Sequence, residues 1–202
     1  LVASASARQA GRRRVFSFMG RDSSEMSPLG NAGLPAFVSA CPFAASRRIL
    51  RRMTTLLIAT RNAHKVAEIR AILGAQFRYL TLADFPGAPT VVEDAETFEG
   101  NAAKKATRLA AWVAQGAAGN AIPSGWLLVL ADDSGLEVDA LHGAPGVHSA
   151  RFAALDAAGQ PAGNSSDADN NAKLLRRLRD VPREQRTARF RCVIALVEAL
   201  PA

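Results

Sequence analysis

Two carboxylates stand side by side at Asp132 and Asp133, directly after the apolar run WLLVLA and directly before Ser134-Gly135. An acid at the end of a buried strand is costly unless something there wants negative charge. Neighbouring residues on an extended segment point to opposite faces, so the two groups can take separate tasks. One could hold a metal while the other takes a proton from water. Ligands of open α/β sheets gather beyond the carboxyl ends of strands, which is where the pair is expected. A helix cap or an Asx turn would use the same residues, and residue type alone leaves both readings open. Further on, Gly143, Pro145 and Gly146 are expected to shape a tight loop, followed by Ser149 and Arg151. A guanidinium fork suits phosphate, although most arginines simply face water.

Three other stretches could contribute. ATRNAHK, residues 59–65, reads as a strand breaking into a helix. The first turn of a helix has N–H groups without internal partners and favours anions. Lys65 in that turn opposes the helix dipole, which makes sense if a phosphate sits there, and otherwise it is an ordinary surface lysine. No Walker A glycine pattern is present. VEDAETFEGNAAKKA has four acids between Glu93 and Glu99. That is a solvated loop or a source of hard oxygen ligands for Mg²⁺, which takes one or two carboxylates and completes its shell with phosphate and water. Asn101 is expected to cap the next helix, with Lys104 and Lys105 about one turn in, one of them facing a cleft. His64, His142 and His148 lack metal-ligand spacing. Trp112 and Trp126 sit in apolar context and read as core, and KLLRRLRD reads as an amphipathic helix with a solvated basic face.

The elements that must position these groups alternate. TLLIAT, FRYLTL, WLLVLA and TARFRCVIALV read as strands, and residues 62–73, 101–115 and 167–180 as helices. The first helix places Val66, Ile69, Ile72 and Leu73 on one face, with Asn62 as its cap. The WLLVLA strand is expected to end at the two aspartates. Strands alternating with helices predict an α/β or mixed α+β fold, which 202 residues can build as one domain.

The formal charge of +7 is unevenly placed. Residues 1–52 hold nine arginines, no lysine and two acids, Asp22 and Glu25, whereas residues 53–202 carry sixteen groups of each sign. The body therefore has no basic footprint for nucleic acid. No apolar run is long enough to span a membrane. Cys41 and Cys192 make neither a disulfide framework nor a zinc pattern, which points to a reducing, cytoplasmic compartment. Residues 1–52 lack periodicity and are expected to be a disordered leader. Their composition resembles a transit peptide or upstream sequence translated in frame, with Met53 as the natural start.

Taken in order, ATRNAHKVAEI, ETFEGNAAKKA, ADDSGLEVDALHGAPGVHSARF, DADNNAKLL and DVPREQRTARFRCVIAL resemble the inosine/xanthosine triphosphate pyrophosphatases, the Ham1-like family, over residues 53–200. The resemblance implies an elongated two-lobed fold around a cleft, usually a homodimer. It implies Mg²⁺-dependent hydrolysis of ITP, dITP and XTP to the monophosphate and pyrophosphate. By position, Thr60, Arg61, Asn62 and Lys65 correspond to the phosphate-binding turn, with Ser134, Lys105 and Arg151 as further cleft positions. Glu93, Asp132 and Asp133 correspond to metal carboxylates, Asp133 also being the general base. Asn170 and Lys173 match a helix motif. Arg61 replaces a glycine found in some members, so its side chain must point outward. Family members continue with a Gly-Phe-Gly-Tyr-Asp-Pro-like stretch and a Ser-His-Arg that help recognise the base. Neither is found here, so an incomplete purine pocket is expected. The alternatives are a Maf-type pyrophosphatase for other modified nucleotides and a fragment that binds nucleotide without turnover.

Overall fold

A sheet of mixed direction forms the centre of the computed structural model, which describes residues 4–10, 13–19, 54–116, 127–156 and 163–199. Its strands lie in the order β1-β2-β6-β5-β3-β4. The first two are β1 (Ser4–Ala10) and β2 (Arg13–Met19). They are followed by β3 (Thr55–Ile58), β4 (Arg78–Thr81), β5 (Leu127–Val138) and β6 (Ala188–Ala199). Strands β4, β3 and β5 are parallel, and β5 pairs antiparallel with β6. The α/β expectation holds. β3 is buried along its whole length, as a strand between two parallel neighbours should be, and that is why TLLI reads as unbroken apolar sequence.

The aspartates do not end their strand, contrary to expectation. β5 runs on to Val138 because β6 pairs with it throughout, Asp132 opposite Ile194 and Asp133 opposite Val193. The strand that stops is β3. Its last pair is Ile58 with Leu130, and the chain leaves at Ala59, whose N–H donates to the Leu130 carbonyl at 2.7 Å. The carboxylates thus lie just past the carboxyl end of β3, on a strand still supported on its other side.

Helix α1 (Ala63–Leu73) starts at Asn62, as the sequence suggests, and ends at Gly74, whose φ of 71° is left-handed backbone that favours glycine. Its expected apolar face is only partly covered, with Val66, Ile69 and Leu73 half-buried. No residue of α1 is buried, and Ile72 is 79% exposed. Helix α2 (Phe98–Ala114) begins three residues before the expected start, with Thr97 as its cap. The Thr97 hydroxyl accepts from the Gly100 N–H at 3.0 Å. Phe98, Ala102, Ala106, Leu109 and Val113 face inward at helical spacing, and the alanines let α2 lie close across β5 and β6. Leu57, Leu109, Val129, Val193 and Val197 form the centre of that core. Trp112 packs partly buried at its edge, its ring edge-on to Phe85 with centroids 5.9 Å apart.

Helix α3 (Asp167–Arg177) is capped by Ser166, whose hydroxyl accepts from the Asp169 N–H at 3.1 Å. It grips the segment around Arg151. Asn170 accepts from the Ala153 N–H at 2.8 Å and donates to the Ala150 carbonyl at 3.3 Å. Buried Lys173 donates to the Phe152 carbonyl at 2.5 Å.

Strands β1 and β2 fall within the segment read as a structureless leader. They pair as a hairpin, Ser4 opposite Met19 and Ala10 opposite Arg13, and Met19 aligns with Val193 of β6. The rest of residues 1–53, residues 117–126, which include Trp126, and residues 157–162 lie outside the described residues. Among the described residues no helix is long and apolar enough to cross a membrane.

Candidate active site

The site is built where β3 stops and β5 continues. Asn62 caps α1 with its side-chain oxygen, accepting from the N–H groups of His64 at 2.9 Å and Lys65 at 3.3 Å. The Thr60 hydroxyl accepts from the Asn62 N–H at 3.2 Å, so Thr60, Asn62 and Lys65 form one locked turn. Two of the amides expected to greet a phosphate are satisfied by the cap. The Lys65 side chain is therefore the main cationic feature at this end of α1. Arg61 is exposed and donates to the Ala88 carbonyl at 3.0 Å. Its backbone is not among the positive-φ residues, so the turn does not require glycine there.

Lys65 reaches across to β5. Its Nζ contacts Asp132 Oδ2 at 2.5 Å and the Ser134 hydroxyl at 3.1 Å. Burial alone would pull this ammonium down, but the charge of Asp132 and the hydrogen bond to it outweigh that and raise its pKa. Lys65 is held as a cation beside Asp132.

Asp133 faces the other way, toward α2. Its Oδ2 accepts from the Asn101 amide at 2.9 Å, and its Oδ1 from the Ser134 N–H at 3.0 Å. Burial pushes this carboxyl above the usual range. The Asn101 hydrogen bond and nearby Lys105 pull it back, and Glu93 pushes it up again. A carboxylate poised upward this way suits proton abstraction. Lys105 pairs with Glu93 at 3.0 Å, and Lys104 with Asp94, so Lys105 is the lysine of the pair that turns to the site. Arg151 donates to the Glu93 carbonyl at 3.2 Å, which pins the acidic loop from the opposite side.

The predicted residues thus form two groups on opposite faces of β5. Lys65, Asp132 and Ser134 lie toward α1, and Asp133, Lys105, Glu93 and Arg151 toward α2. Among the described residues no three of the His, Cys, Asp and Glu side chains gather as a metal cage. The three carboxylates Glu93, Asp132 and Asp133 are not assembled as one ligand set. The donor chemistry still fits magnesium bound by one or two carboxylates with phosphate completing the shell. Glu93 is near enough to Asp133 to interact with it electrostatically.

Two contributors were missed. Asn101, expected as a helix cap, lies inside α2, fully buried, with its amide on Asp133. Cys192, opposite Ser134 across the β5–β6 ladder, is exposed on the site's side of the sheet. The alternation of the β6 sequence was the available signal for Cys192. For Asn101, the signal was its place among the inward positions 98, 102 and 106.

Known proteins share this arrangement of sequence. A dITP/XTP pyrophosphatase from Geobacter sulfurreducens is 52% identical over 145 residues, covering 71% of this chain and 63% of the relative. One from Desulforamulus reducens is 47% identical over 144 residues, covering 71% and 62%. The chain therefore spans less than two thirds of the length of those relatives. Among solved structures, a HAM1 protein from Coxiella burnetii superposes with a TM-score of 0.56 at 34% identity, covering 73% of this chain and 64% of that one. The Ham1 protein of Staphylococcus aureus superposes at 0.51, also 34% identical, covering 70% and 62%. Since the model of the Ham1 family matches residues 56–201, the stretch that holds both faces of the site, the chain belongs to the Ham1 family.

Proposed function

We propose that the chain hydrolyses non-standard purine nucleoside triphosphates (dITP, ITP and XTP) to the monophosphate and pyrophosphate. The observation that carries this reading is the pair of adjacent buried carboxylates on β5, one tied to Lys65 and the other to Asn101. The names of the relatives, dITP/XTP pyrophosphatases, support it. Water attacks the α-phosphorus, the bond from that phosphorus to the bridging oxygen breaks, and pyrophosphate leaves. Asp133 accepts the proton that the water gives up and orients its lone pair. Lys65 gives its charge to the phosphoryl oxygens, and Arg151 and Lys105 line the opposite wall. A bound Mg²⁺, held by Glu93 and Asp133, would supply further offset of phosphoryl charge. Magnesium as the metal and a homodimeric state rest on the resemblance, a cytoplasmic location rests on the cysteine usage, and all three belong to this proposal.

The test is pyrophosphate release with Mg²⁺ from dITP, ITP and XTP beside dTTP and UTP. One pyrophosphate per monophosphate from the purines is the expected result. Turnover of dTTP or UTP without ITP would favour a Maf-type enzyme instead. Nucleotide binding with no release from any of them would leave a binding protein.

Lys65 gives a second expectation. Lys65→Met keeps much of the aliphatic stem and removes the charge. Loss of a preorganised cation from developing phosphoryl charge lowers kcat/KM by about 10²-fold or more. Steady-state kinetics on dITP check this, and a value within threefold of wild type would remove Lys65 from the phosphate site.

A further inference from the structure

We propose that Asn101 is the positioning residue of the site, a single buried amide that sets Asp133 and the Glu93 loop in one frame. The inference rests on the function proposed above. Asn101 is 0% exposed. Its Nδ2 donates to Asp133 Oδ2 at 2.9 Å and to the Ala95 carbonyl at 3.4 Å, and its Oδ1 accepts from the Ala95 N–H at 2.9 Å. The two ends of one side chain therefore hold the proposed base and both backbone groups of a residue two positions from Glu93.

The amide can sit only one way round. Flipped, it would set its N–H₂ against the Ala95 N–H and its oxygen against the Asp133 carboxylate, leaving buried groups facing their own kind. Orientation is thus fixed by the loop and passed to the base. α2 supplies the rigid mount, since Asn101 sits between Phe98 and Ala102 on its buried face. Lys105, one turn further on, pairs with Glu93 at 3.0 Å. The same helix face consequently controls the separation between Glu93 and Asp133, the two carboxylates of the α2 side. A side chain chosen only for packing would not need a donor toward Asp133 and an acceptor toward Ala95 at once.

Two variants separate positioning from support of the fold. Asn101→Asp is nearly isosteric, keeps an acceptor for the Ala95 N–H, and replaces the amide donor to Asp133 with a second acid that repels it or shares a proton with it. Asn101→Ala loses both. The full chain and each variant are assayed for pyrophosphate release from dITP and ITP with Mg²⁺, with melting curves and amide hydrogen exchange on residues 92–97. For both variants kcat falls about 10²-fold, the scale of a misplaced reacting group, while KM stays within about threefold, the mark of an interaction felt in the transition state. Protection of the Ala95 N–H persists in Asn101→Asp and is lost in Asn101→Ala. Folded variants that retain kcat within about threefold beside an active wild type overturn the inference alone. So does a loss confined to KM. A wild-type chain that releases no pyrophosphate from any purine triphosphate overturns the proposed function, and this inference with it.

Discussion

Asp133→Asn removes pyrophosphate release by about 10²–10⁴-fold, the range expected when a positioned general base is lost, while dITP still binds. The substitution keeps size and an oxygen for the Ser134 N–H but turns an N–H₂ toward the Asn101 N–H₂, so melting curves and dITP binding separate lost chemistry from a disturbed frame. The same group controls the acid side of the pH profile. Burial holds the Asp133 carboxyl above the ordinary carboxylate range, with Asn101 and Lys105 pulling against burial and Glu93 adding to it. A base acts deprotonated, so activity falls as pH drops through the Asp133 pKa; burial raises that pKa in the metal-free chain, and a bound Mg²⁺ would lower it. Stability has the opposite sign. Between the unfolded and the raised folded pKa, the native state binds more protons than the unfolded chain, so stability falls as pH rises across that window. Melting temperatures with a chelator present should show this slope in wild type and a flatter one in Asp133→Asn. Equal slopes would mean that burial does not control this carboxyl.

The sequence carried most of the parts list and less of their arrangement. β3, α1 with its Asn62 cap, β4 and the body of β6 are legible because each is a short periodic run bounded by polar residues. The roles proposed for Lys65 and the aspartates come from the order of the motifs. The true end of β5 could not, because DDSG has the composition of a turn, and only pairing with β6 keeps it extended. The start of α2 was misplaced because Gly100 reads as a loop residue, although Thr97 caps the helix from outside it. Asn101 shows the same limit. Asparagine near a helix start is a cap by local rules, and its contact with Asp133 spans 32 residues of chain. The apolar stripe on α1 shows the converse, because periodicity says which face is apolar and nothing about what covers it.

Gly135 carries the other large expected effect, because two separate segments meet at its Cα. A Cβ built there would lie 2.4 Å from the Gly146 carbonyl oxygen, 2.5 Å from the Ser149 hydroxyl and 3.0 Å from the Phe98 ring. None of these can easily yield. The first is backbone. The second is fixed by donating to the Gly146 carbonyl at 2.6 Å and accepting from the Leu136 N–H at 2.9 Å. The third is on the buried face of α2. Gly135→Ala must therefore push residues 146–149 away from β5, at an overpacking cost of about 1–3 kcal/mol. Arg151 rides on the end of that segment, in a helical turn spanning Gly146–Arg151, so its guanidinium shifts relative to Asp133 and the Glu93 loop. Displacement of a positioning group by about 1 Å can cost 10²-fold in rate, so activity should fall further than the loss of stability explains. Gly87→Ala is the control. Its added Cβ meets nothing within 4 Å, and a surface change of that kind stays within about 0.5 kcal/mol. Melting temperature and kcat on dITP for the two variants decide the matter. A Gly135→Ala protein that melts and turns over like Gly87→Ala would show that the loop does not rest on β5 as described.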